Sequence, residues 1–166
     1  MKAEQLKEIQ APLKEQYKQD PEKALVTLKA TSSLGEGITC KVETGKAMVE
    51  AGLHPATGGD GLSVCSGDML LEALTACAGV TLRAVATAID FELEDAKIHA
   101  EGDLDFRGTL SVDKEAPVGF KNIRLNFDLQ TNEDQDKIDT LIKLTERFCV
   151  VYQTLNTGND IQTSVS

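Results

Sequence analysis

Histidine is scarce in this chain: there are two, His54 and His99, and neither stands at ligand spacing from a cysteine. A C-x-x-C pair is also missing, so a tetrahedral zinc site has no support from local sequence and no metal or cofactor is expected. Basic clusters are lacking as well. Seventeen Lys and Arg against 27 Asp and Glu leave a formal charge of −10, which repels phosphate backbones and anionic surfaces and argues against nucleic acid and membrane as partners. The opening residues, Met1 to Lys7, have no apolar core of a secretory signal, which gives a cytoplasmic expectation. In a reducing compartment the four cysteines, Cys40, Cys65, Cys77 and Cys149, do not imply a disulfide framework. No internal repeat or low-complexity tract is evident. A length of 166 residues with 41% hydrophobic content suits a single domain with one sizeable core.

The residues present organise that domain as α+β rather than as alternating βα units. Leu6, Ile9, Leu13 and Tyr17 recur at helical spacing, predicting an amphipathic helix over residues 1–20, bent at Pro12 and ended before Pro21. Residues 24–51 read as strands, with β-prone runs over 24–30, 37–43 and 46–50 separated by Ser32-Ser33 with Gly35 and by Thr44-Gly45. From Gly52 to Gly67 the Gly- and Pro-rich composition, with His54-Pro55 and Gly58-Gly59-Asp60-Gly61, predicts a long loop.

A long helix is predicted over residues 66–89, with Ser66 as N-cap and Asp68 at the positive end of the helix dipole. Its apolar residues, Leu70, Leu71, Leu74, Ala76, Cys77, Val80, Leu82, Val85 and Ile89, cover most of the circumference, which predicts burial on several sides. The stretch matches the ~20 residues a bilayer needs, yet Glu72 and Arg83 would each cost roughly 2.5–3.5 kcal/mol near the bilayer centre, which favours a core helix. Residues 96–130 then read as a strand hairpin. Ile98, Ala100, Gly102, Leu104 and Phe106 alternate with polar residues, as do Ile123, Leu125, Phe127 and Leu129, with residues 113–118 as the connection. His99 and Arg124 fall on the polar phase and are expected to be solvated. Asn132 with Gln135 gives a capping-box signal for a helical segment over 133–156 carrying Ile138, Leu141, Ile142 and Phe148 inward, and residues 160–165 read as a closing strand.

Taken alone, Cys77 shares a helical face with Leu70, Ala73, Leu74, Val80, Thr81 and Ala84, and a small packed core residue is the plainest reading of it. Cys149 carries the same plain reading. Cys65 precedes Cys77 by twelve residues, which in a continuous helix is a rise of about 18 Å, too far for a disulfide. Cys40, in a strand, is most simply core. His54 is a candidate pocket base, though His-Pro in a loop is ordinarily turn chemistry.

Two segments carry a family resemblance. Ser66-Gly67-Asp68-Met69-Leu70-Leu71-Glu72-Ala73-Leu74-Thr75-Ala76-Cys77 resembles the central-helix motif of the OsmC/Ohr family, the osmotically inducible and organic hydroperoxide resistance proteins. Arg147-Phe148-Cys149-Val150-Val151 resembles that family's second cysteine motif. The resemblance implies antiparallel sheets packed on a long central helix that carries the first cysteine, in an intertwined homodimer. It also implies a thiol-dependent peroxidase in which the Cys77 thiolate attacks an organic hydroperoxide, becomes a sulfenic acid and is captured by Cys149 as a disulfide. A thiol reductant, in the family often a dithiol such as dihydrolipoamide, resets the pair. Asp68 takes the position of an acidic residue that holds an arginine in the family, with a first-turn acid on the helix dipole as its other reading; Glu72 is a second candidate.

The sequence departs from the family pattern in two places. No arginine precedes Arg83, so the family's arginine in the N-terminal strand region is missing. Val150 stands where the family often has proline. A thiolate at neutral pH needs a nearby cation or a helix N-terminus. Lys41, Lys46, Arg83 and Arg147 are the candidate cations, each with an ordinary solvated charge as its plainer reading. Two functions follow: a hydroperoxide reductase using Cys77 and Cys149, or a non-catalytic relative that binds a small apolar ligand at the dimer interface.

Overall fold

The computed structural model describes residues 3–34, 40–42, 51–62 and 64–165. Helix α1 (Ala3–Gln19) runs through Pro12 and is followed by a single 3-10 turn over Pro21–Ala24. Strand β1 (Leu25–Leu34) pairs antiparallel with β2 (Cys40–Val42), and β3 (Ala51–Gly52) pairs parallel with β4 (Val64–Cys65). Helix α2 (Ser66–Ala88) leads to β5 (Asp95–Asp105), the short α3 (Phe106–Thr109), β6 (Lys121–Gln130), α4 (Gln135–Phe148) and α5 (Val150–Thr157). The main sheet has the order β2-β1-β5-β6. The result is a mixed α+β fold with an antiparallel sheet, as the sequence predicts.

The chain divides into two compact units: Met1–Ala30 with Glu43–Glu72 and His99–Asn126, and Thr31–Val42 with Ala73–Ile98 and Phe127–Ser166. In the first unit Tyr17 is buried and its hydroxyl donates to the Ala56 carbonyl at 2.6 Å, docking α1 against the turn that follows β3. Gly58 has a φ of +94°, and a Cβ there would come within 2.5 Å of the Ile9 side chain, so this turn needs glycine twice over. Gly102 on β5 serves close approach instead: a Cβ would lie 2.5 Å from the ring of Phe120. The second unit is cored by Leu74, Ala78, Leu82, Phe91, Ile98 and Leu141, all buried.

The long loop expected from Gly52 to Gly67 contains one 3-10 turn, Pro55–Thr57, and ends in β4. The expected strand over 24–30 extends to Leu34, because Ser32 and Ser33 pair across the ladder with Val42 and Lys41 where a turn was expected. Of the run over 37–43 only Cys40–Val42 is described, as β2, and the run over 46–50 lies outside the described residues. Helix α4 is capped not by Asn132 but by Asp134, whose carboxylate accepts from the Lys137 amide at 2.9 Å. Phe148, expected inward, is 55% exposed; Leu141 and Thr145 form the buried stripe of α4. The strand expected over 160–165 is not formed. Residues 158–165 have no regular structure, and Ile161 and Val165, their two large apolar side chains, are exposed, too little burial to offset the entropy of ordering them.

Arg124 is clamped rather than solvated. On β6 its guanidinium donates to Asp103 at 2.8 Å and to Glu101 at 3.3 Å on β5, a cross-strand pairing that holds the Asp103 carboxyl well below its usual range. His99 is half-buried. Helix α2 is long and apolar enough to cross a membrane by composition alone, but Leu71, Leu74, Thr75, Ala78 and Leu82 are buried within this chain.

Candidate active site

Cys77 lies near the middle of α2, and its surroundings differ from the packed face expected of it. The buried face of the helix runs through Leu71, Leu74, Thr75, Ala78, Leu82 and Val85, whereas Cys77 is half-buried beside Ala73, Ala76 and Val80, which are exposed or half-exposed. Cys77 is therefore not fully enclosed by its own chain.

Cys149 is fully buried at a one-residue break between two helices. Its amide donates to the Thr145 carbonyl at 2.9 Å, closing α4, and its carbonyl accepts from the Gln153 amide at 2.9 Å, opening α5. The backbone at Cys149 is extended (φ −72°, ψ 107°), and its sulfur takes the N-cap role by accepting from the Tyr152 amide at 3.5 Å. The Gln153 side chain ties the two helices by donating to the Glu146 carbonyl at 2.8 Å. This break aims the first turn of α5 at Cys77.

The two thiols are thereby made unequal. Burial by itself would raise Cys77, but the amide of Val151, the thiol of Cys149, the hydroxyl of Thr81 and the amide of Val150 all donate to its sulfur and leave it below the ordinary thiol value. Cys149 is pushed up to about 11, by burial first and then by donating to Cys77 and facing its charge. The arrangement makes Cys77 the more acidic and Cys149 the less acidic of the two thiols. The groups that lower Cys77 are neutral donors, two of them amides in the first turn of α5.

Of the candidate cations, the two that are described make other contacts. Arg83 donates to the Leu93 carbonyl at 2.9 Å, and the Arg147 guanidinium lies over the Phe148 ring at 5.3 Å. Lys46 and the Lys41 side chain lie outside the described residues. Asp68, in the first turn of α2, precedes Cys77 by nine residues, a helical rise of about 13 Å, so its carboxylate does not reach that sulfur along the helix. Burial raises the Asp68 carboxyl and the charge of His54 lowers it; Glu72, one turn on, is raised by burial and by Asp68. His54 itself is engaged in turn chemistry: its Nδ1 accepts from the Ala56 amide at 3.0 Å and its ring stacks on Phe106 with centroids 5.0 Å apart. Cys65 is half-buried in β4, and Cys40 stands opposite Leu34 in β2. Among the described residues no group of His, Cys, Asp and Glu is arranged to hold a metal ion.

The sequence reading missed Thr81, Val150 and Val151. Thr81 carried a usable signal, four residues after Cys77 on one helical face. The amides of Val150 and Val151 carried none, because backbone donors have no residue signature.

The model of the family described as OsmC-like protein matches residues 58–164, a span that includes α2, Cys77 and Cys149. No protein of curated function matches the sequence. Among solved structures, the fold is similar to an OsmC-like hydroperoxide resistance protein from Jannaschia sp. CCS1, with a TM-score of 0.60 and 19% identity over 86% of this chain and 94% of that one. An OsmC-like protein from Mycoplasma pneumoniae matches with a TM-score of 0.55 and 15% identity over 80% of this chain and 85% of that one. An organic hydroperoxide resistance protein OsmC from Legionella pneumophila matches with a TM-score of 0.53 and 18% identity over 78% of this chain and 88% of that one. By the reach of the family model and the agreement of the fold, the chain belongs to the OsmC-like family.

Proposed function

We propose that this protein is a thiol-dependent peroxidase that reduces organic hydroperoxides through Cys77 and Cys149. The observation that carries the reading is the unequal thiol pair: a Cys77 sulfur lowered by donors, in hydrogen-bond contact with a Cys149 thiol that stays protonated. The Cys77 thiolate attacks the distal oxygen of RO–OH, the O–O bond breaks, and the alkoxide takes a proton to leave as ROH. Cys77 is then a sulfenic acid. Cys149, already in place, attacks that sulfur and releases water, leaving a Cys77–Cys149 disulfide. A thiol reductant supplies the two electrons and two protons that restore the pair; a dithiol does so in one encounter. Asp68 enters this reading as a positioning residue that faces His54, not as a group touching the substrate.

A homodimer is part of the proposal. Met69, Leu70, Ala73 and Val80 form an exposed stripe of α2 at helical spacing, beside Cys77, that a second copy would cover. Such burial would also wall the sulfur with apolar surface suited to the hydrocarbon part of a hydroperoxide. A cycle that depends on thiol reductants fits the cytoplasm.

The test is stoichiometric. Adding cumene hydroperoxide to the reduced protein is expected to consume two thiols, with peptide mapping locating the Cys77–Cys149 disulfide. Cys77→Ser is expected to abolish peroxide consumption. A Cys77→Ser variant that consumes peroxide as fast as the wild type overturns the reading; thiols that react only slowly with peroxide, together with an apolar ligand that raises Tm, would favour a non-catalytic binder instead.

A further inference from the structure

Cys149 is fully buried, yet the helix packed against its sulfur is lightly held. Helix α5 has eight residues and no buried side chain. An isolated helix shorter than about 12–15 residues is marginal in water, so α5 depends on its attachments. The Tyr152 amide in its first turn donates to the Cys149 sulfur at 3.5 Å, and the Gln153 side chain donates to the Glu146 carbonyl of α4 at 2.8 Å. Its far end is open. A Cβ built on Gly158 would meet no atom within 4 Å, and residues 158–165 are exposed and have no regular structure. Short length, no buried side chain and an open end mark a segment that opens locally while the rest of the fold stays closed.

We propose that α5 is a lid over Cys149, and that a thiol reductant enters beneath it to attack the Cys149 sulfur of the oxidised pair. The inference rests on the peroxidase reading for the presence of the Cys77–Cys149 disulfide. The reductant's thiolate forms a bond to the Cys149 sulfur, the Cys77–Cys149 bond breaks, and Cys77 leaves with the electron pair as a thiolate. The second thiol of a dithiol then attacks the reductant's own sulfur, closing the reductant's disulfide and releasing Cys149; the two protons of the dithiol end on the two cysteines. Attack at this end expels the more acidic thiol, which is the better leaving group. Attack on the Cys77 sulfur would expel the less acidic thiol instead, and from the side of the α2 stripe that a second copy would cover.

The test uses full-length protein oxidised with diamide, so that the disulfide forms without peroxide. A short pulse of N-acetylcysteine below one equivalent is quenched with acid, free thiols are blocked with N-ethylmaleimide, and peptides are mapped. N-acetylcysteine on Cys149 with N-ethylmaleimide on Cys77 is the expected result; the reverse placement overturns the proposal. Gln153→Ala cuts the tie to α4 and is expected to speed reduction by dithiothreitol about two- to tenfold, the scale of one hydrogen bond. Gln153→Met, of similar length, serves as a second donor-free variant should alanine disturb the helix, with circular dichroism reporting the fold. Reduction of the wild type is expected to depend weakly on urea, as a local opening does. Variants that are reduced at the wild-type rate, or a wild-type rate that climbs with urea as steeply as global unfolding, overturn the lid. If diamide forms no Cys77–Cys149 disulfide, the lid and the peroxidase reading fall together. A protein that forms the disulfide with diamide but not with cumene hydroperoxide loses the peroxidase reading and keeps the lid.

Discussion

Helix α2, which carries Cys77, and helix α5, which Cys149 begins, are held in place by different means. Buried side chains line one face of α2, among them Leu71, Leu74, Ala78 and Leu82. In α5 no residue is fully buried; the sulfur of Cys149 caps its first turn and the Gln153 amide ties it to α4. One helix is anchored by its core and the other by a cap and one side-chain tie. The difference puts Cys77 on a core-anchored helix and two of the amides beside its sulfur on a lightly held one.

The largest expected break in that comparison is energetic. Leu74→Ala on α2 is expected to cost about 2–5 kcal/mol in urea unfolding, and Leu155→Ala on α5 less than about 1.5 kcal/mol, because a half-exposed leucine leaves little cavity. Equal losses would show that α5 is core-anchored after all. Next in size is Val150→Pro. The first position of a helix tolerates proline and the extended backbone of Cys149 suits the residue before one, so the fold is kept while one thiolate donor is deleted. The expected result is a Cys77 alkylation midpoint raised by about one pH unit with little change in Tm. In the wild type, the fraction of thiolate grows as pH rises through each pKa. Cys77 should therefore alkylate at lower pH than an ordinary thiol, and Cys149 only as pH approaches 11. Reversal of that order would sink the acid–base assignment. The smallest expected effect is that of Gln153→Ala, about 0.5–1.5 kcal/mol. Hydrogen exchange should report it as faster amide exchange within α5 while α2 amides stay unchanged.

Much of the fold was legible because it rests on periodicity. The twofold alternation through Ile98–Leu104 and Ile123–Leu129 marks β5 and β6, although Phe106, expected to continue the first strand, begins α3, and the absence of proline from Met69 to Ile89 marks α2. The same reasoning misread the end of the chain, where Ile161 and Val165 alternate like a strand but have no surface here to cover them. At the site, the placement of Cys77 on a long helix was legible, but the face it shares was not, since an all-round apolar helix does not declare which side its own chain covers. The break at Cys149 was only half legible. Cysteine is not a favoured N-cap, and Val150 offers neither proline nor glycine to mark a boundary. The amides of Val150 and Val151 that lower Cys77 belong to α5, more than seventy residues further along the chain, and periodicity does not place them. Val150 has the amide proton that a proline at this position would lack.

Each of the two compact units is drawn from three separated stretches of chain, and β1, β5 and β6 all run from one unit's residues into the other's. No fragment shorter than residues 1–126 holds the first unit whole, and none shorter than residues 31–166 holds the second. Synthesis from the N-terminus therefore cannot complete the first unit until residue 126 has emerged, and the second needs the last helices as well. Closing such long loops costs entropy before the distant strands reward it, so folding is expected to be slower than that of a helical bundle of equal length and to proceed as one cooperative event.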